Sequence, residues 1–210
     1  MHASTHQTPS VSPRPPSIEP FVLDLPAIQL RARAHLDEGA VSGGYQGNRL
    51  VILKLLNDSL ATELVCMLRY RSHHALSASL GGIAGYAVTA ELLKHSQEEQ
   101  AHADMLATRI VQLGGRPDFS PESLAKRSHT TYVVSDSLQD MLVEDLVAER
   151  IAVESYSAVI RYIGDSDPTT RRLFETILAQ EEEHADEVAD FLRRVRVSLA
   201  PAKPGVAGVQ

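Results

Sequence analysis

Carboxylates stand in this sequence where helical periodicity asks for core residues. Between Leu53 and Tyr70 the apolar positions recur at alternating steps of three and four, through Leu53, Leu56, Leu60, Met67 and Tyr70, and the place between Leu60 and Met67 is held by Glu63. Glu149 interrupts a second stripe in the same way, between Leu142, Leu146 and Val153, Tyr156, Ile160. Such steps keep side chains on one face of an α-helix, so both glutamates belong to an inward face. An ionised carboxylate buried without a partner is strongly unfavourable. Something must face them.

Two further helical stretches supply it. Glu99-Gln-Ala-His102 lies on the stripe through Leu92, His95, Leu106 and Leu113, and Glu181-Glu-Glu-His184 repeats the spacing. Residues three apart share a helix face, so each motif offers one carboxylate and one imidazole to a common point. A single Glu-x-x-His is a weak signal, and the run Glu181 to Glu183 would also suit a solvated face. Two such motifs together with two glutamates in core register form a specific one. Depth agrees. Glu149 lies about twelve residues into its helix, Glu181 about fourteen, and Glu63 and Glu99 about fifteen, which at ~1.5 Å per residue puts all four roughly 20 Å from a helix end.

The helices themselves are delimited by glycine and proline. Residues 49–79, about 85–113, about 137–163 and about 168–197 read as four long helices, closed by Gly81-Gly82, Gly114-Gly115, Gly164 and Pro201. Ser137 with Asp140 marks a capped start, and Asp167-Pro168 another. Residues 116–134 form a long connection in which Ser120-Pro121-Glu122 opens a short helix. Two tightly joined pairs separated by a long connection give an all-α four-helix bundle with one long crossover. Ahead of it, residues 1–47 are a proline- and glycine-rich leader: Pro9, Pro13, Pro15, Pro16, Pro20 and Pro26 come first, then Gly39, Gly43, Gly44 and Gly47. This leader is expected to be extended or disordered, with at most a short helix over 27–38. The bundle occupies 48–198, and 199–210 read as a flexible tail.

Composition narrows the chemistry. Cys66 is the sole cysteine, which excludes a disulfide framework, a four-cysteine site and an internal CxxC pair. The net charge of -7 sets non-specific nucleic-acid binding at a disadvantage. No run of apolar residues is long enough to span a membrane, and no basic stretch followed by an apolar core marks a secretory signal, so the cytoplasm is the expected location. Four carboxylates offset two divalent ions, and neutral imidazoles add ligands without charge. Such donors suit iron or manganese rather than copper. One glutamate from each of two helices and Glu-x-x-His from each of the others is similar to the two-metal sites of ferritin-like bundles. In that arrangement Glu99 and Glu181 bridge both metals, Glu63 with His102 completes one, and Glu149 with His184 the other. Tyr70, seven residues after Glu63, lies on the same face, where its hydroxyl can reach a ligand or simply fill the core. Glu98, Glu182 and Glu183 read as surface residues, and His73, His74 and His95 as caps or surface groups, with one open to a supporting role.

The stretch from about Leu50 to Leu192 resembles the bacterioferritin branch of the ferritin-like superfamily, with its Dps-like relatives. The resemblance rests on LNDSLATEL with Tyr70 following, EEQAHADML, DLVAERIAVESY and LAQEEEHADEV. It implies a ferritin-like four-helix bundle with two iron ions per chain. Glu63, Glu99, His102, Glu149, Glu181 and His184 are its ferroxidase ligands and Tyr70 its nearby tyrosine. It further implies oxidation of Fe(II) to Fe(III) by oxygen or hydrogen peroxide, and a hollow homo-oligomeric shell for iron storage or detoxification. Gln100 stands where bacterioferritins carry the haem-binding methionine, so haem is not expected. The closing LAPAKPGVAGVQ offers no fifth helix, which points to a shell smaller than theirs. A DNA-protecting Dps-like role is an alternative, but residues 1–48 hold Arg14, Arg31 and Arg33 against Glu19, Asp24, Asp37 and Glu38, with no lysine, so DNA binding is not supported. A rubrerythrin-like oxidase or peroxidase would normally add a four-cysteine module, which this sequence lacks.

Overall fold

The structure, a computed structural model, describes residues 21–80 and 82–199, and of Ala78, residues 82–87 and Leu199 the backbone alone. Its elements are α1 (Leu25–Ala32), a 3-10 turn (Leu36–Glu38), α2 (Arg49–Leu80), α3 (Gly82–Gln112), α4 (Pro121–Arg127), α5 (Leu138–Ile163) and α6 (Pro168–Leu199). Among the described residues there is no strand, and no helix is long and apolar enough to cross a membrane. α2 packs against α3 and α5 against α6, and the two hairpins meet along α2–α5 and α3–α6. This is the four-helix bundle with one long crossover.

The helix ends follow local chemistry. Ser137 Oγ accepts from Asp140 N at 3.1 Å, and Asp167 Oδ1 accepts from Thr170 N at 2.9 Å, each satisfying an orphan donor of a first turn. Gly114 closes α3 at φ 71°, and a Cβ there would collide with the Arg49 guanidinium, which donates to Leu113 O at 2.6 Å. Ser120 precedes α4 but makes no capping bond with its side chain; Asp118 instead accepts from Ser120 N at 2.9 Å and from Ser123 Oγ at 3.0 Å. α3 begins at Gly82 rather than Gly85, and Gly81, read as part of the stop between the first two helices, lies outside the described residues. A glycine inside a helix costs about 1 kcal/mol, which the long antiparallel contact with α2 outweighs.

Residues 1–20 and 200–210, on which the leader's first prolines and the tail fall, lie outside the described residues. Asp24 caps α1 by accepting from Ala27 N, with Pro26 in the first turn, where its missing N–H costs nothing. No residue of α1 is buried. The segment after it is tied down: Tyr45 donates to Asp167 Oδ2 at 2.8 Å, and Arg109 Nη2 donates to both oxygens of the same carboxylate. The crossover lies along α2, where Asn57 Oδ1 accepts from Asp118 N, Arg127 Nη1 donates to Asn57 O, and Thr62 Oγ1 accepts from His129 N.

Two apolar clusters fill the bundle. One contains Leu56, Leu60, Leu106, Ile110, Tyr156 and Phe174; the other contains Tyr70, Val88, Leu92, Leu142, Val188 and Leu192. Along α3, α5 and α6, Glu99, His102, Glu149, Glu181 and His184 fall between members of the two clusters, and in α2 Glu63 stands between Leu60 and Tyr70; all six are buried.

Candidate metal centre

Each long helix contributes to this polar layer from its middle. Glu63 comes from α2, Glu99 and His102 from α3, Glu149 from α5, Glu181 and His184 from α6. His102 Nδ1 lies 3.2 Å from Glu63 Oε2, 2.9 Å from Glu181 Oε1 and 3.7 Å from Glu99 Oε2. His184 Nδ1 lies 3.5 Å from Glu99 Oε1, 3.7 Å from Glu181 Oε2 and 4.0 Å from Glu149 Oε2. Two overlapping groups result, Glu63–Glu99–His102–Glu181 and Glu99–Glu149–Glu181–His184, each with its donor atoms within 4.8 Å of one another. Ligands at ~2.1 Å on opposite sides of an ion stand ~4.2 Å apart, so each group has the dimensions of one ion's shell. Glu99 and Glu181 belong to both.

The fit to metal shows in what is left unsatisfied. Glu99 Oε1, Glu149 Oε2 and His184 Nδ1 are buried without a hydrogen bond, and Glu181 Oε1 has only the His102 imidazole, 2.9 Å away. A buried polar atom without a partner costs about 1–3 kcal/mol. Three such atoms converging on one layer are a cradle for cations. The titration behaviour says the same. Burial, then repulsion from Glu181 and Glu99, holds the Glu63 carboxyl well above its ordinary range; burial, then Glu99 and Glu181, does so for Glu149. Burial alone would lower the His184 imidazolium, but contacts with Glu181 and Glu99 outweigh it and push it up to about 11. His102 moves the same way, because Glu181, Glu63 and Glu99 overcome its burial. Glu99 and Glu181 move down despite burial, through their bonds to the two imidazoles and to the neighbouring carboxyls. Protons thus occupy the places that positive ions would take.

Around the six stand residues that orient them. Tyr70 donates to Glu149 Oε1, and Tyr156 donates to Glu63 Oε1, so each phenol reaches across from its own helix to the other's glutamate. His102 Nε2 is 3.0 Å from Gln180 Oε1, and His184 Nε2 is 3.0 Å from Glu98 Oε2. Each histidine is therefore held by the residue preceding the glutamate of the opposite motif, with Nδ1 turned to the centre. Tyr156 and Gln180 were legible only as halves of a repeat: Tyr156 follows Glu149 by the interval that separates Tyr70 from Glu63, and Gln180 stands to Glu181 as Glu98 to Glu99.

Several surface readings need correction. Glu98 is half-buried against His184 because it lies on the flank of α3 that faces α6. His95 is buried and stacks on the His184 ring at 4.2 Å. His73 is buried with Nδ1 at 2.9 Å from both Asp145 oxygens, and His74 Nδ1 lies 2.9 Å from Thr89 O. Glu182 and Glu183 are exposed as expected. Gln100 is half-buried and donates to Asp104 Oδ1 at 3.2 Å.

Known proteins are similar to this chain to different degrees. The chain is 28% identical to a bacterioferritin of Mycobacterium avium over 140 residues, covering 64% of this chain and 79% of the relative. It is 29% identical to a bacterioferritin of Streptomyces coelicolor over 153 residues, covering 70% and 85%. Among solved structures, a bacterioferritin-related dodecameric thioferritin from Bacteroides fragilis superposes with a TM-score of 0.68 at 25% identity, covering 74% of this chain and 94% of that one. Dps from Thermosynechococcus elongatus superposes with a TM-score of 0.64 at 19% identity, over 76% and 96%, a likeness of fold. The model of the ferritin-like domain matches residues 53–197, most of the bundle. With four helices converging on paired glutamate–histidine clusters, the chain belongs to the ferritin-like domain family.

Proposed function

We propose that this protein oxidises ferrous iron, two ions at a time, on Glu63, Glu99, His102, Glu149, Glu181 and His184. The observation that carries the reading is the sharing of Glu99 and Glu181 between two four-donor groups in one buried layer. Two ferrous ions give up two electrons, which reduce oxygen to peroxide or peroxide to water. The residues' part is to bind and orient. Glu99 and Glu181 hold the pair together, each histidine presents Nδ1 while Gln180 or Glu98 fixes its ring, and the tyrosines each occupy one carboxylate oxygen and leave the other for the ion. The two apolar clusters above and below keep water from the layer.

The same reading makes the chain a subunit of a closed homo-oligomeric shell that keeps the ferric product. Kinship with bacterioferritins supports it, and the dodecameric assembly of the Bacteroides fragilis thioferritin favours the smaller shell. The test is an anaerobic ferrous titration of the purified, iron-free protein. We expect close to two equivalents bound per chain before mineral forms, followed by ferric absorption in the near-ultraviolet when oxygen or peroxide is added. Binding well below one equivalent by a folded chain would sink the assignment.

A further inference from the structure

One helical turn outward from the centre, along the seam between α3 and α6, a second group of donors meets. His95 is 1% exposed, and its Nε2 lies 2.7 Å from Glu187 Oε2 and 3.9 Å from Glu91 Oε1. The donor atoms of Glu91, His95 and Glu187 all lie within 4.8 Å of one another, the spread of a single ion's shell. A positive charge already stands beside them: Lys94 Nζ is 2.9 Å from Glu91 Oε1 and 3.2 Å from Glu187 Oε2. This lysine is half in solvent, on a flexible stem, and can swing away.

His95 also links this rim to the interior. Its ring stacks on His184, and its donor atom falls within 4.8 Å of donor atoms on Glu98 and His184. Its other nitrogen, Nδ1, is buried without a hydrogen bond. A surface ion pair between Lys94 and two glutamates needs no buried imidazole, and an apolar side chain would pack there without leaving an unsatisfied nitrogen. The ladder runs without a gap from Glu91 and Glu187, through His95 and Glu98, to His184.

We propose that Glu91, His95 and Glu187 form a third divalent-cation site at the rim, from which ferrous iron passes by way of Glu98 to the buried pair. Two carboxylate oxygens and one imidazole nitrogen, completed by water, suit a ferrous ion. Lys94 offsets one of the two carboxylates when no ion is bound and leaves when a divalent ion arrives to offset both. The existence of the site stands on its own geometry, whereas its role as a waypoint rests on the ferroxidase reading.

Cobalt(II), which is not oxidised under these conditions, separates the two claims in an anaerobic titration of the full chain followed by calorimetry and visible absorption. Wild type should take up three equivalents per chain. The double variant Glu91→Gln/Glu187→Gln should lose the third and keep the first two. Lys94→Met should bind the third ion roughly five-fold or more tightly, because a competing charge a few ångströms from the ion is gone; this exposed substitution does not depend on the fold tolerating a core change. Saturation of wild type at two equivalents would overturn the proposal while leaving the buried pair intact. So would a Lys94→Met variant that binds the third ion no better. One equivalent, lost in the double variant, with none at the centre would uphold the rim site and remove the ferroxidase reading and the waypoint role together.

Discussion

In the iron-free protein the buried layer stores protons, and this has consequences that can be measured. Glu63 and Glu149 are held protonated chiefly by burial, and the two histidines are held as imidazolium by the ionised Glu99 and Glu181. Metal ligands must shed those protons, so ion uptake should acidify an unbuffered solution and tighten as pH rises. The sign for folding is opposite. An imidazolium raised from 6.5 to about 11 contributes stability that is complete below pH 6.5 and is lost as pH climbs toward 11. Carboxyls raised above 4.5 add to this loss, since the unfolded chain ionises them more readily. We therefore expect the melting temperature of chelator-treated protein to fall between pH 6 and 9, and that of zinc-loaded protein to hold steady or rise. A chelated protein whose melting temperature climbs across that range would contradict the proton-filled layer. Tyr156→Phe is the matching test of orientation. Losing the bond to Glu63 should weaken ferrous binding by roughly ten-fold or more, and Tyr70→Phe should do the same through Glu149.

Individual helices show what periodicity reveals in a sequence and what it hides. Period and motif together located Glu63, Glu99, His102, Glu149, Glu181 and His184, because a carboxylate in a core register stands out against leucine. Along the stripe of α2, Leu56, Leu60, Glu63 and Tyr70 are buried, but Leu53 and Met67 are only half-buried, whereas Ile52, Ser59, Cys66, His73 and Ser77 off the stripe also lie inside. The cause is coverage. From Asp58 to Cys66 every residue of α2 is buried, since α3, α5 and the crossover enclose it, and a helix covered on three sides leaves no polar face to calibrate a stripe. Asp145 escapes periodicity for a related reason: followed through Leu146, the stripe of α5 skips the register Leu138, Leu142, Asp145, Glu149, Ala152, Tyr156 that is buried throughout. That aspartate joins α5 to α2. It accepts from Arg69 Nε at 3.0 Å and sits against His73, all three side chains almost wholly out of solvent. Removing one member of a buried ion pair strands the other, at a cost of about 3–5 kcal/mol. Asp145→Ala should lower stability by that amount in denaturant unfolding, and the combined replacement of Arg69 and Asp145 by apolar residues should recover much of it. A loss below ~1 kcal/mol would mean that water reaches Arg69 and solvates it.

Seen as a whole, the molecule separates the helices that supply the donor layer from a leader that supplies none of it. α2, α3, α5 and α6 supply every donor of the buried layer, and α1 supplies none. The leader ahead of residue 37, by contrast, leaves apolar side chains uncovered: Phe21 is 88% exposed, Val22 80%, Leu30 74% and Leu36 76%. Side chains of this kind contribute about 25 cal/mol for each Å² removed from water, and in a closed shell a neighbouring subunit is the surface always at hand. The Tyr45–Asp167–Arg109 clamp fixes where this segment leaves the bundle, so its direction is set even though its own contacts within the chain are few. Deleting residues 1–36 stops short of that clamp. We expect the truncated chain still to bind two equivalents of iron at the centre, while its particle dissociates at lower denaturant concentration and higher protein concentration than the full-length shell does. Native mass spectrometry across a dilution series reads both mass and dissociation, and a parallel titration reads the centre. Unchanged dissociation would place the leader outside the subunit contacts, and a stable dimer formed by the full chain at micromolar concentration would remove the shell itself, leaving a two-metal oxidase that must pass its ferric product to something else.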